Sequence, residues 1–157
     1  MATRSTSRTN LLALASFLCF SFAAACLAAQ FPPGEWYAGP QKPSWSPPNW
    51  LFGPLWTLFY ATMAFAAWRA WLSSRLTKGT MLIFSIQLVL SALWSWVCFG
   101  LRLPGLALVE ISVLLLGAAV TTRRFGRADR LAGLLMLPYL AWIAFAAALN
   151  LELWRTN

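Results

Sequence analysis

Five stretches of this chain are long, apolar and almost free of charge. Leu11–Ala29, Trp50–Trp68, Gly79–Leu101 and Leu131–Leu151 carry no charged residue over 19, 19, 23 and 21 positions, and Leu103–Thr122 carries one, Glu110, in 20. A run of ~20 such residues matches the thickness of a bilayer's hydrocarbon core. Only 10% of the residues are charged and 60% are hydrophobic, against roughly a quarter charged in a soluble domain. A soluble fold of this size has too little interior to hide so much apolar surface. The expected fold class is therefore an all-α membrane protein, a five-transmembrane-helix bundle. It forms one domain over 1–157, with helices near 9–29, 48–73, 79–101, 103–123 and 130–153 and a Pro/Trp-rich loop over 30–47.

The first run resembles a secretory signal in having Arg4 and Arg8 ahead of it and small residues at Ala28 and Ala29. It outlasts the usual apolar region of roughly 7–15 residues, so a retained helix is expected. With five spans, Arg4, Arg8, Arg69, Arg75, Lys78, Arg123, Arg124, Arg127 and Arg130 fall on one side, nine of twelve cations. The excess of Lys and Arg on cytoplasmic segments places the N-terminus inside and the 30–47 loop outside. The location expected is a multi-pass integral membrane protein, in the cell membrane if the source is bacterial. The net charge of +8 then reports topology, and no nucleic-acid partner is expected.

Absent residue types narrow the chemistry. Cys19, Cys26 and Cys98 all lie inside apolar runs, and there is no histidine. Disulfides, thiolate metal sites, histidine-ligated haem and histidine-dependent hydrolytic triads are all disfavoured. No metal site is expected and no cofactor is required.

Helical spacing marks three faces. Trp56, Tyr60, Met63 and Ala67 follow one another at i, i+4, i+7 and i+11, one side of a helix. Trp142, Ala146, Leu149 and Asn150 mark another such face at i, i+4, i+7 and i+8 in the last span, with Ala144, Ala147 and Ala148 leaving volume nearby. Two such helices facing each other can wall a flat cavity, or simply interlock large and small residues. Gln87, Ser91 and Ser95 form a polar stripe in the third span beside Trp94, where close helix packing is the ordinary explanation. Glu110, two turns into the fourth span, costs ~2.5–3.5 kcal/mol to insert as a charge. It fits a proton-coupling carboxylate or a neutral acid hydrogen-bonded to a neighbour such as Gln87.

The loop WYAGPQKPSWSPPNW, residues 36–50, carries Pro40, Pro43, Pro47 and Pro48, which preclude an ordinary helix through it. Trp36, Tyr37, Trp45 and Trp50 suit a stiff apolar lid over one end of the bundle, beyond what an interfacial aromatic belt explains. This stretch, with GPLWTLFYATM at 53–63, QLVLSALWSWVCFG at 87–100, ALVE at 107–110 and PYLAWIAFAAALN at 138–150, resembles the TspO/translocator protein family, the peripheral-type benzodiazepine receptors. The resemblance spans about residues 31–155.

It implies a five-helix bundle, often a homodimer, with a cavity under the first loop. It also implies binding of tetrapyrroles such as protoporphyrin IX, of cholesterol, and of isoquinoline carboxamide and benzodiazepine drugs. Some bacterial members degrade protoporphyrin in light through two tryptophans, matched here by Trp56 and Trp142. Tyr37, Trp45, Trp94, Ala146 and Leu149 match the family's cavity positions. Joined to the spacing argument, these give a ligand-binding set of Tyr37, Trp45, Trp56, Tyr60, Ser91, Trp94, Trp142, Ala146 and Leu149.

Three positions depart from the family pattern. Ser91 stands for a usual Asn, and Trp96 for a proline, which suggests a straighter third helix and a narrower cavity. Leu151 stands for the Tyr of a cholesterol-recognition pattern that is itself weak. The function expected is a membrane tetrapyrrole-binding protein that senses, transports or degrades porphyrin in light. A flat apolar macrocycle stacks on indoles, and its propionates can reach Lys42 or lid amides. The alternatives are a proton-coupled transporter using Glu110, or a ligand-regulated scaffold without chemistry.

Overall fold

The computed structural model describes residues 3–39, 43–73 and 75–156. Lys42, the expected partner for ligand carboxylates, lies outside them, as does the side chain of Trp36. Among the described residues, five helices are long and apolar enough to cross a membrane: α1 (Thr3–Ala29), α3 (Asn49–Leu72), α4 (Lys78–Ser95, continued by a wider turn over Trp96–Gly100), α5 (Pro104–Ala128) and α6 (Arg130–Thr156). The loop expected over 30–47 holds one helical turn of its own, α2 (Glu35–Ala38), which ends before Pro40 as the backbone restriction ahead of a proline requires.

Local chemistry sets these boundaries. Thr77 caps α4, its side-chain oxygen accepting the Thr80 amide at 3.2 Å. Pro104 opens α5, where a missing N–H costs nothing. Between them, Arg102 turns the chain sharply with φ 59°. Asp129 alone joins α5 to α6 in extended conformation. Its Oδ1 accepts the Ala132 amide at 2.8 Å and its Oδ2 accepts from Arg69 at 2.8 Å, so one carboxylate caps α6 and ties down the end of α3.

The spans close into a ring in the order α1, α3, α6, α5, α4 and back to α1. The α5–α6 seam is the tightest, and Gly133 is the reason: a Cβ there would stand 2.6 Å from the Gly126 Cα. On the opposite side, Trp68 Nε1 donates to the Asn10 carbonyl at 3.0 Å and fixes α3 to α1. Phe84, Leu88, Ile111, Leu114, Met136, Tyr139 and Ile143 fill the centre. Leu11, Leu12, Phe20, Leu27, Val109, Val113 and Leu116 face outward, an inversion that only an apolar solvent rewards.

Replacing a proline by Trp96 does not yield an uninterrupted α-helix. The backbone widens to i→i+5 bonding at this point, with the Leu101 amide donating to the Trp96 carbonyl at 2.8 Å. Such single wide turns recur at functional sites. Here the Trp96 ring is turned outward, and Cys98 is buried.

Candidate functional site

The lid closes one end of the bundle through Tyr37. Its ring is 1% exposed and meets Phe52 and Phe99 edge-on at centroid distances of 5.8 and 5.6 Å. Burial pushes its phenol up to about 12, the neighbouring Cys98 adding to the shift and Ser46 opposing it. The group is therefore a neutral donor at any physiological pH. Asn49 Nδ2 donates to the Pro33 carbonyl at 3.4 Å, linking the two ends of the lid. Trp45 stays half exposed and rests on Phe145 at 5.5 Å.

Beneath the lid the rings form one connected set. Trp56 contacts Tyr60 at 5.8 Å, Trp94 at 6.3 Å, Phe59 at 6.4 Å and Tyr139 at 6.4 Å. Trp142 contacts Phe52 at 5.9 Å, Phe59 at 6.0 Å and Phe145 at 5.3 Å. Contacts in this distance range are worth ~0.5–1.5 kcal/mol each beyond area burial.

The expected site residues divide among several spaces. Trp56 and Tyr60 line a void of about 160 Å³ with Ser95 and Phe99, between α1, α3 and the wide turn. Tyr37, Trp94, Ala146 and Leu149 line another of only about 10 Å³, so the compartment directly under the lid is almost filled. Trp142 lines a groove of about 500 Å³ on the outer flank of α3 and α6, with Phe59, Pro138 and Phe145. Of these spaces Trp56 and Trp142 line different ones, and Phe59 touches both. Ser91 is fully buried; its hydroxyl lies 2.6 Å from that of Tyr139 and donates to the Gln87 carbonyl at 3.0 Å. That is the helix-packing role expected of a small hydroxyl.

Three further groups matter. Asn150 donates to the Pro104 carbonyl at 2.7 Å and accepts Trp94 Nε1 at 3.1 Å, so it sets the plane of that indole. Trp142 Nε1 is buried with no hydrogen-bond partner among the described residues. So are both carboxylate oxygens of Glu110. The expected bond from Glu110 to Gln87 is not formed: the Gln87 amide is turned to Met63 Sδ at 3.3 Å. Leaving such groups unpaired costs about 1–3 kcal/mol each, and natural structures keep few of them without a use.

Phe52, Phe59, Phe99 and Tyr139 were absent from the expected set. Phe52 and Phe59 fall four residues before and three after Trp56, on the stripe already marked. Phe99 continues the Gln87, Ser91 and Ser95 stripe at the next i+4 position, a signal masked by that stripe's polar residues.

These features define a class: a five-span helical membrane protein with an aromatic-walled, lidded end. The chain belongs to the TspO/MBR family, whose profile matches residues 11–155. It is similar to the human translocator protein, 38% identical over 138 residues that cover 83% of this chain and 82% of that one. The tryptophan-rich protein TspO of Archaeoglobus fulgidus is 44% identical over 127 residues, 78% of this chain and 80% of its own. Protein CrtK of Rhodobacter capsulatus is 37% identical over 153 residues, covering 93% and 95%. Membership supports a membrane role related to porphyrins or sterols.

Proposed function

We propose that the protein binds a flat apolar macrocycle of the tetrapyrrole class, protoporphyrin IX being the type, at the lid end of the bundle. The observation that carries this reading is the connected set of rings centred on Trp56, with the N–H of Trp142 buried and unpaired at its edge. Indole faces reward a flat apolar ligand, and an unpaired buried donor rewards an acceptor such as a carboxylate or pyrrolic nitrogen. Light absorbed by the bound macrocycle can draw an electron from an adjacent indole. That leaves an indole radical cation and a macrocycle radical anion, which dioxygen can reoxidise. Sterol binding is the less favoured ligand class, since Leu151 offers no hydroxyl where the recognition pattern has one.

A dark titration with protoporphyrin IX tests the binding step. Saturable quenching of tryptophan emission is expected, weakened about 2- to 12-fold by Trp56→Leu, the equivalent of one aromatic stack. Non-saturable quenching, or quenching indifferent to Trp56, contradicts it.

A second reading rests on Glu110, whose two buried oxygens have no hydrogen-bond partner among the described residues. A carboxyl so placed inside a span is suited to carry a proton with a transported ligand. That reading requires pH-dependent uptake into vesicles that Glu110→Gln abolishes; uptake unchanged by the substitution removes it.

A further inference from the structure

Two voids at the lid end share one wall. The larger, about 160 Å³, touches Trp56, Tyr60 and Ser95. The smaller, about 10 Å³, touches Tyr37, Trp94 and Cys98. Phe52 and Phe99 line both. Their rings meet edge-on at 6.1 Å and 89°, and Tyr37 seals the junction from the lid side. Neither phenylalanine can hydrogen-bond through its side chain, so packing alone holds the wall in place.

We propose that Phe99 is the movable leaf of this internal partition and sets the width of flat ligand that the site accepts. Small-molecule sites usually enclose roughly 300–1,000 Å³, more than either compartment provides. Even together the two fall short of that range, so a wide ligand at the lid end has to merge them and push their common wall aside. Phe52 is anchored in regular helix and is 4% exposed. Phe99 is half buried and belongs to the wide turn over Trp96–Gly100, where the backbone follows a less regular bonding pattern. Gly100, next to it, has no side chain to wedge the turn; a Cβ there would meet Phe31 and Trp96, each at 2.9 Å. Narrow aromatics fit the compartment beside Trp56 with the leaf closed. Wide ones enter only with it displaced.

The choice of tetrapyrrole as the wide ligand rests on the proposed function, whereas the partition does not, and the test separates the two. Cys98 lines the small compartment and is buried, so its labelling by methyl methanethiosulfonate reports whether the wall is open. Cys19→Ala and Cys26→Ala remove the exposed thiols of α1. In that background Phe99→Ala is expected to speed Cys98 labelling about tenfold, and to raise affinity for pyrene relative to naphthalene by a similar factor. Phe99→Leu, which keeps apolar bulk, shifts both readouts the same way by less, so a misfolded alanine variant does not decide the matter. An unchanged labelling rate overturns the proposal, as does an unchanged pyrene-to-naphthalene ratio. Both shifts without saturable protoporphyrin IX binding uphold the partition and refute the tetrapyrrole reading.

Discussion

Gly126 and Gly133 face each other across the α5–α6 seam, but their tolerances differ. A methyl group at 133 would press on the Gly126 Cα at 2.6 Å and amide nitrogen at 3.0 Å, whereas one at 126 would meet only the Gly133 Cα at 3.6 Å. Backbone cannot swing aside as a side chain can. Gly133→Ala is expected to destabilise the protein by about 1–3 kcal/mol through overpacking. Gly126→Ala is expected to be neutral or to gain up to ~1 kcal/mol from helix propensity. Thermal unfolding in detergent compares the two, and equal losses would mean that the seam relaxes. Asn150 is the second residue whose contribution the geometry isolates. Asn150→Leu strands the Trp94 indole N–H and removes the tie to the Pro104 carbonyl, at a cost of about 1–3 kcal/mol for the buried donor left unpaired. The same variant frees the Trp94 ring, so its emission should broaden or shift; an unaltered spectrum and melting point would refute the positioning role. Neither glycine carried a sequence signal, because a close helix approach depends on the partner helix and not on local spacing.

At the scale of elements, the α5–α6 joint depends on one carboxylate. Asp129 is held below the ordinary carboxylate range, chiefly by the Ala132 amide and then by Arg69. A depressed acid contributes stability above its unfolded value of ~3.9, and that contribution fades as pH falls through the lower folded value. Asp129→Ala should therefore cost about 0.5–2 kcal/mol at neutral pH, the usual range for a helix cap. The gap to the parent should close on acidification below about pH 4. A gap independent of pH would show that the charge is irrelevant. The spans themselves were legible, since uncharged length alone locates them: the expected 48–73 and 79–101 compare with Asn49–Leu72 and Lys78–Gly100. What was not legible is the wide turn after Ser95. Phe99 within it still follows Ser95 at i+4 and lines the same void, so spacing locates the ring but not the wider backbone that carries it.

Across the whole molecule, most cations lie at the end away from the lid, and the largest connected set of aromatic rings lies under it. Trp56, Ala146 and Leu149 were legible because family pattern and helical periodicity agree on them, whereas Tyr37 and Trp94 rest on the family pattern. The division of these residues was not legible. Which rings share a void depends on how Phe52, Phe59 and Phe99 pack between helices distant in sequence. Trp56 and Trp142 consequently touch one phenylalanine in common and line different spaces. A macrocycle served by both must bridge that ring or displace it. We propose that this aromatic end holds a tetrapyrrole and passes its excitation to the indoles. The most direct test saturates the purified protein with protoporphyrin IX in the dark, then illuminates it and follows the porphyrin absorption band. Faster loss of that band than in a Trp56→Phe/Trp142→Phe double variant is predicted, with dark binding retained in both. Equal rates of loss at equal occupancy would contradict the claim and leave the protein as a binder or carrier.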